Sequence, residues 1–202
     1  MLDRWLRPTK ERLLVPAARR IARVVSANTL SVAGLACGVG AAVLAARGSF
    51  GGALALWAAN RALDGLDGTV ARVRGTQSDF GGYFDIVLDT IVYALLPLGL
   101  AVHVGTAAAY AAGAALMASF YLNSATWMYL AAVLEKRQAG AIAQGEITSV
   151  TMPGGLMEGT EAIVFFTSML VWPGYTVGLS WLMAALVVVT AGQRVVWAWH
   201  RL

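Results

Sequence analysis

Long apolar segments alternate with short polar breaks along most of the chain. A helix needs about 20 apolar residues to cross the hydrocarbon core of a bilayer, and most of these segments reach that length. The pattern therefore predicts an all-α, polytopic membrane protein with six transmembrane helices. In the first segment, Gly34 and Gly38 stand four positions apart, a spacing that favours close packing with a neighbouring helix. The predicted spans cover residues 28–46, 50–73, 79–102, 107–133, 158–172 and 175–199, the fifth being short enough to require tilting or burial by its neighbours.

The amino-terminal region differs from the rest of the chain. It mixes arginines with scattered large apolar side chains and is interrupted by Pro8 and Pro16. Such a mixture predicts one or two amphipathic helices that lie on the membrane surface. We therefore divide the chain into an interfacial segment, residues 1–25, and a six-helix transmembrane domain, residues 26–202.

Composition and charge support a membrane protein. Hydrophobic residues make up 58% of the 202 residues and charged residues only 13%, whereas a soluble domain carries about 25% charged residues. The formal net charge of +4 would also suit a nucleic-acid partner. Because the basic residues concentrate in the first 23 positions, we expect membrane lipids and no nucleic acid as partners.

The remaining basic residues indicate the orientation in the membrane. Six spans place both termini on one side, and nearly all arginines and lysines fall on that side, Arg47 being the exception. The positive-inside rule then predicts a multi-pass protein of the cell inner membrane with both termini in the cytoplasm. Beyond the amino-terminal group, the basic residues on that side are Arg72, Arg74, Lys136, Arg137 and Arg201.

Four aspartates interrupt the apolar pattern where the second predicted span ends and the third begins. An aspartate at the centre of a membrane helix costs roughly 2.5–3.5 kcal/mol on insertion scales, so a cluster of them indicates a functional site. The predicted topology puts all of them at the cytoplasmic ends of their helices, near the membrane surface. They are Asp64, Asp67, Asp85 and Asp89.

The spacing of these acids places each pair on one helical face. On the second span, two acids, a glycine and an alanine stand at offsets 0, +3, +4 and +7: Asp64, Asp67, Gly68 and Ala71. On the third span, a glycine and two acids stand at offsets 0, +4 and +8: Gly81, Asp85 and Asp89. The small residues leave room for a bulky ligand against the backbone. A turn at residues 74–78 joins the helices as an antiparallel pair, so the two acidic faces can converge.

Carboxylates at close quarters repel one another, and divalent cations or protons relieve that repulsion. Oxygen ligands suit Mg²⁺ or Mn²⁺, and two such ions close together suit displacement at a phosphorus atom. Arg72, one residue beyond the acidic stripe, is a natural phosphate-binding cation. The residues alone predict a metal-dependent phosphotransfer site. A divalent-cation transporter is the alternative, which the one-sided position of the acids and the neighbouring arginine disfavour.

This stretch resembles the signature of the CDP-alcohol phosphotransferase family, D-x2-D-G-x2-A-R-x8-G-x3-D-x3-D, with every fixed position matched and no change in spacing. The six-span pattern, the amphipathic amino terminus and the Asn28-Thr29 pair at the start of the first span also look like the family. The resemblance implies transfer of a phosphatidyl group from CDP-diacylglycerol (CDP-DAG) to a polar alcohol, with release of CMP, in phospholipid synthesis. Members of the family are often homodimers, so a homodimer is implied as well.

The resemblance also implies roles for individual residues. Asp64, Asp67 and Asp85 match the aspartates that hold two divalent metal ions, Mg²⁺ or Mn²⁺, on the donor pyrophosphate. Asp89 matches the base that deprotonates the acceptor hydroxyl, and it is also counted among the metal ligands. The residues expected to contact the donor are Asn28, Thr29, Asp64, Gly68, Ala71, Arg72 and Gly81.

The acceptor alcohol is harder to read, because its pocket draws on scattered side chains. Glu158 and Glu161 open the fifth span on one helical face, where they either cap the helix or bind the acceptor. Arg61 either pairs with an aspartate or reaches the donor phosphate, and the other basic candidates either bind a phosphorylated acceptor or reach lipid headgroups. Phosphatidylglycerol as acceptor and a soluble CDP-alcohol as donor remain alternatives. The candidate acceptor-binding residues are Arg61, Lys136, Arg137, Glu158, Glu161 and Arg194.

Overall fold

The computed structural model describes residues 14–140 and 154–202, and helices account for almost all of that part of the chain. The predicted all-α fold is confirmed, since the described residues contain no strand. The first 13 residues of the predicted interfacial segment lie outside the described residues. The helices are α1 (residues 14–21), α2 (Ala27–Ala46), α3 (Phe50–Arg74), α4 (Asp79–Val104), α5 (Ala107–Lys136), α6 (Gly159–Val171) and α7 (Thr176–Arg201), with a 3₁₀ turn, Pro173–Tyr175, before α7.

Polar caps and glycines set several of the helix ends. Ser26, Ser78 and Thr106 each accept a hydrogen bond from the backbone N–H three residues further on, which satisfies a donor that a helix N-terminus leaves unpaired. Gly75 and Gly105 end α3 and α4 with φ values of 65° and 66°, a left-handed conformation that glycine adopts without strain.

Helix α2 packs against both α3 and α4. Within the described part of the chain, α3 and α4 follow one another through a short turn but are not a closely packed pair. The predicted close packing at two α2 glycines is confirmed: a Cβ added to Gly38 would collide with Val92 of α4, and one added to Gly34 would touch Leu63 of α3. The two glycines therefore bring two neighbours close to α2.

The other helices complete the main core. Helix α5 packs against α7 and α4, while α6 contacts α3 and α7. Trp57 reaches from α3 to α6, where its Nε1 donates a hydrogen bond of 3.0 Å to Thr167 Oγ1. The largest side chains buried in this core include Trp57, Leu96, Leu116, Phe166 and Met183.

Three described helical stretches are long and apolar enough to cross a membrane: Ala27–Ala46, Asp79–Val104 and Pro173–Arg201. Helix α6 is apolar but has only 13 residues, in agreement with a short fifth span. Helix α3 carries two aspartates and two arginines, Arg72 and Arg74, in its second half, which lowers its apolar character. These stretches indicate a membrane protein, and the full count of six spans stays a prediction.

Helix α1 lies against the ends of α2 and α3. Ala18 is fully buried in a small cluster with Leu30 and Val70, and its neighbouring arginines are exposed. Arg74 Nε donates a hydrogen bond of 2.5 Å to the carbonyl oxygen of Ala22, just beyond α1. Ala18 therefore faces the other helices while the neighbouring arginines face outward, and the amphipathic character of residues 1–25 stays a prediction. The placement of α1 on the membrane surface stays a prediction as well.

Candidate active site

The structure brings the four aspartates together around one small cavity between α2, α3 and α4. The enclosed space is about 10 Å³, which is the room that one water molecule needs. Helix α2 packs against both acidic helices and lines one side of the cavity. The lining residues are Ser31, Gly34 and Leu35 of α2, Asn60, Asp64 and Asp67 of α3, and Asp85, Leu88, Asp89 and Val92 of α4.

Asp67 is the most buried of the four aspartates, with an exposed fraction of 5%. Its Oδ2 accepts a hydrogen bond of 2.6 Å from the Ser31 hydroxyl, and its Oδ1 accepts one of 2.5 Å from the Gly68 N–H. Both donors are neutral groups. They fix the carboxylate in place without cancelling its charge, so it remains suited to a cation.

Asp89 has a charged partner. Arg61 Nη2 lies 2.6 Å from Asp89 Oδ1, and Arg61 Nη1 lies 3.5 Å from Asp89 Oδ2. Arg61 Nη1 also lies 3.8 Å from an oxygen of Asp64. The sequence left two roles open for Arg61, and the structure favours pairing with the aspartates.

The guanidinium of Arg61 is held from several directions. Its Nε donates a hydrogen bond of 2.8 Å to Asn60 Oδ1, and Asn60 Nδ2 in turn donates one of 2.9 Å to the Gly34 carbonyl oxygen. The guanidinium carbon lies 4.7 Å from the ring centre of Trp57 and 5.3 Å from that of Tyr93. Cation–π contacts of this kind stabilise a desolvated arginine.

The donor-binding candidates on α3 lie near the cavity. Arg72 is exposed, and its side chain turns back along the helix to donate a hydrogen bond of 3.2 Å to Thr69 Oγ1. A Cβ added to Gly68 would lie 3.4 Å from Arg72 Nη1. The glycine and the arginine are therefore neighbours on one face, with Ala71 beside them and partly exposed.

Three other donor-binding candidates lie outside the cavity lining. Gly81 donates its N–H to the Ser78 cap of α4. Asn28 and Thr29 are exposed in the first turn of α2, where the Thr29 hydroxyl lies 2.8 Å from that of Ser26. These residues stand at the helix ends near the acids.

The structure separates most acceptor-binding candidates from the aspartates. Arg194 is buried, with an exposed fraction of 3%, and its Nη1 donates a hydrogen bond of 2.7 Å to Asn123 Oδ1 of α5. Lys136 and Arg137 are exposed at the end of α5, and Arg137 Nη1 donates a hydrogen bond of 2.7 Å to the carbonyl oxygen of Leu202. None of these three lines the aspartate cavity.

Glu158 and Glu161 form a capping box at the start of α6. The Glu158 N–H donates a hydrogen bond of 3.2 Å to Glu161 Oε2, and Glu158 Oε1 accepts one of 2.9 Å from the Gly155 N–H. Capping, one of the two roles that the sequence allows for these acids, is therefore present. Neither side chain lines the aspartate cavity.

The donor set fits a hard divalent cation. Four aspartates and Ser31 are among the lining residues, and Mg²⁺ and Mn²⁺ prefer oxygen ligands such as carboxylates and hydroxyls. Within residues 14–140 and 154–202, no three acidic, histidine or cysteine side chains already surround one metal position. Hydrogen bonds from Ser31, Gly68 and Arg61 engage oxygens of Asp67 and Asp89.

The sequence analysis did not identify Ser31 as part of the site. Ser31, Gly34 and Leu35 stand at offsets 0, +3 and +4 on α2, so they share one face. The signal available was a polar residue next to small ones in an otherwise apolar helix. It becomes interpretable only when the position of α2 beside both acidic helices is known.

Comparisons with known proteins agree with a phosphotransfer site at the four aspartates. The family model for CDP-alcohol phosphatidyltransferases matches residues 24–192. The chain is 35% identical over 196 residues to inner membrane protein YnjF of Escherichia coli, covering 96% of this chain and 94% of that protein. It is 28% identical over 207 residues to archaetidylinositol phosphate synthase of Methanothermobacter thermautotrophicus, covering 100% of this chain and 96% of that enzyme.

Solved structures resemble the fold. Phosphatidylinositol phosphate synthase of Mycobacterium tuberculosis with CDP-DAG bound superimposes with a TM-score of 0.73 at 23% identity, covering 93% of this chain and 94% of that chain. The same enzyme in complex with manganese and citrate gives a TM-score of 0.71 at 24% identity, covering 92% of this chain and 88% of that chain. At this identity the likeness describes the fold.

Proposed function

From the premise that the chain belongs to the CDP-alcohol phosphatidyltransferase family, we propose that it transfers a phosphatidyl group from CDP-DAG to a polar alcohol. Membership makes it an enzyme, a CDP-alcohol phosphotransferase of phospholipid synthesis. The observation that carries the proposal is the convergence of four aspartates from α3 and α4 on one cavity beside α2. The CDP-DAG and manganese complexes of the M. tuberculosis enzyme support the choice of donor and metal.

Asp64, Asp67 and Asp85 are the residues that we propose to hold two divalent ions, with Asp89 beside them. Bound there, Mg²⁺ or Mn²⁺ would supply positive charge to the donor pyrophosphate and to the departing CMP. The carboxylates contribute by fixing where that charge stands, and Ser31 contributes by orienting Asp67. Placing these groups in advance lowers the cost of reorganisation during the reaction.

Asp89 is the proposed base. Its carboxylate accepts the proton of the acceptor hydroxyl while the acceptor oxygen forms a bond to the phosphorus atom that carries diacylglycerol. The bond from that phosphorus atom to the oxygen shared with CMP breaks, and CMP leaves with the electron pair. One phosphate ester bond forms and one anhydride bond breaks, so the step requires no oxidant or reductant.

Arg72 and the small residues beside it are the proposed contacts of the cytidine diphosphate. A planar guanidinium binds phosphate oxygens through two parallel hydrogen bonds, and the neighbouring glycine adds no side chain beside it. Ala71 extends the small face on α3, and Gly81 provides a second on α4. Asn28 and Thr29 are proposed to border the same donor from the first turn of α2.

The acceptor is proposed to be a polar alcohol. Phosphorylated alcohols should be tested first as acceptors. The M. thermautotrophicus relative and the M. tuberculosis enzyme are both named for products that contain inositol phosphate. Arg194 is a candidate contact for such an acceptor, although it would have to exchange its contact with Asn123. We further propose a cytoplasmic active site, cytoplasmic termini and a homodimer in the cell inner membrane.

The deciding experiment is an acceptor screen with purified protein in detergent, labelled CDP-DAG and either Mg²⁺ or Mn²⁺. We expect CMP release and a new labelled lipid with one class of acceptor. Addition of EDTA should remove both, and excess Mg²⁺ or Mn²⁺ should restore them. Phosphatidylglycerol as acceptor and soluble CDP-alcohols as donors belong in the same screen. Failure to release CMP with every pair, together with Mn²⁺ uptake into proteoliposomes, would replace the proposal with cation transport.

A further inference from the structure

The four aspartates are not equivalent, and Arg61 makes the difference. Its guanidinium approaches both oxygens of Asp89, at 2.6 and 3.5 Å, and approaches Asp64 less closely, at 3.8 Å. Asp67 accepts its hydrogen bonds from a hydroxyl and an amide instead. Asp89 therefore has its charge compensated by the protein itself, whereas Asp67 is held by neutral groups.

Arg61 is built into this position. Its side chain is only 10% exposed, its Nε is tied through Asn60 to the backbone of α2, and Trp57 and Tyr93 lie within cation–π distance. A desolvated arginine with this many contacts does not move to solvent at low cost. The pairing with Asp89 is therefore a feature of the packed site.

We propose that Arg61 is a positioning residue that keeps Asp89 out of the ligand set of the divalent ions and so reserves it as the base. The inference rests on the proposed function and deepens it. A guanidinium and a doubly charged ion repel one another, so an ion that shared Asp89 with Arg61 would bring two like charges together. We assign the ions to Asp64, Asp67 and Asp85, because Arg61 lies 2.6 Å from Asp89 but 3.8 Å from Asp64.

The first test measures Mn²⁺ affinity without any substrate, by the electron paramagnetic resonance signal of free Mn²⁺ in detergent. In Arg61→Met the repulsion is removed and Asp89 is released, so Mn²⁺ should bind on the order of tenfold more tightly. In the double variant Arg61→Met with Asp89→Asn, one positive and one negative charge are both removed, and affinity should return close to that of the unchanged protein. Equal or weaker Mn²⁺ binding by Arg61→Met would overturn the proposal.

The second test measures turnover. Arg61→Met should lower kcat on the order of 100-fold while the KM for CDP-DAG changes little, because the base is displaced and the donor contacts remain. Arg61→Lys keeps the charge without the two-pronged geometry and should recover part of kcat. In an Asp89→Asn background, Arg61→Met should add little further loss. Additive losses, or an unchanged kcat in Arg61→Met, would contradict the inference.

Controls separate positioning from general damage. Arg74→Met removes an arginine from the same helix whose contact is the Ala22 carbonyl oxygen, and it should leave Mn²⁺ affinity unchanged. If Arg61→Met fails to fold, Arg61→Lys carries the Mn²⁺ test, with a smaller increase expected. The Mn²⁺ measurement requires no turnover. It therefore tests the role of Arg61 even if CDP-DAG proves to be the wrong donor.

Discussion

Two aspartates of the cavity, Asp67 and Asp89, are each held by identified partners. The Ser31 hydroxyl and the Gly68 N–H fix Asp67, and Arg61 fixes Asp89. Partners of this kind orient a metal ligand or a base, and their removal costs activity even though they do not react. Predictions for single residues should therefore distinguish the carboxylates from the groups that orient them.

Removal of one carboxylate should stop the reaction without unfolding the protein. In Asp85→Asn the side chain keeps its size but loses the charge that a divalent ion requires, so we expect CMP release to fall by at least on the order of 100-fold. Labelled CDP-DAG and thin-layer separation of the products measure this. Asp79→Asn is the matched control, since Asp79 is an exposed residue in the first turn of the same helix. Substantial turnover in Asp85→Asn would exclude a role for Asp85 as a metal ligand.

Removal of an orienting group should weaken metal binding in a graded way. Ser31→Ala deletes the hydroxyl that donates to Asp67, and we expect Mn²⁺ affinity to fall roughly 10–100-fold. The concentration of Mn²⁺ that gives half-maximal CMP release provides the measurement. Ser168→Ala removes a hydroxyl that bonds within its own helix and should leave that concentration unchanged. The same Mn²⁺ dependence in both variants would show that Ser31 does not support the site.

At this scale the sequence predicted the acids but not their partners. Asp64, Asp67, Asp85 and Asp89 were recognisable because each pair stands on one helical face, a local property of the chain. Ser31 lies far from them in sequence, and only tertiary packing brings it to Asp67. For Arg61 the sequence left two roles open, because the choice depends on where Asp89 lies after α3 and α4 are in place.

Among the helices, α2 determines how the acidic faces meet. It packs against both α3 and α4, and its small residues allow this close approach. A Cβ added to Gly99 of α4 would overlap the carbonyl oxygen of Ala42 of α2. Helices α2 and α4 can therefore approach this closely only because position 99 has no Cβ atom.

A methyl group at that contact should loosen the site from a distance. Gly99→Ala forces α2 and α4 apart, and overpacking of this kind costs about 1–3 kcal/mol. We expect a lower midpoint of thermal unfolding in detergent and weaker Mn²⁺ binding, although Gly99 does not line the cavity. Gly192→Ala on α7 is the control, because a Cβ there meets nothing within 4 Å. An unchanged unfolding midpoint in Gly99→Ala would show that the two backbones can separate freely.

The sequence predicted the helices better than their arrangement. Polar breaks, serine caps and glycines mark the helix ends locally, and helix α6 is as short as the fifth predicted span. The sequence predicted α3 and α4 as an antiparallel pair, but it did not predict that α2 packs against both of them. A helix that is apolar almost all around has no distinct polar and apolar faces. Its neighbours therefore cannot be inferred from its own residues.

The molecule as a whole is a membrane enzyme whose four aspartates lie in the second half of α3 and the first half of α4. The distribution of basic residues predicts that the side on which α3 ends and α4 begins faces the cytoplasm. The turn between α2 and α3 and the turn between α3 and α4 should then lie on opposite sides of the membrane. Each turn has an exposed polar residue, Ser49 in the first and Gln77 in the second.

Cysteine labelling can test this orientation. In a background with Cys37→Ala, which removes the chain's single cysteine, we expect Ser49→Cys to react with a membrane-impermeant maleimide in spheroplasts. Gln77→Cys should react only after the membrane is opened. Retained CMP release in both variants provides the control for folding. The reverse pattern would place the aspartates on the outer side and contradict the proposed topology.

Among residues 14–140 and 154–202, all those that line the aspartate cavity fall between Ser31 and Val92, within three consecutive helices. During synthesis the ribosome delivers these walls as one uninterrupted stretch, before α5 has emerged. The described part of the aspartate cavity is thus encoded as a contiguous stretch of the gene, whereas the proposed acceptor contact at Arg194 is encoded far downstream.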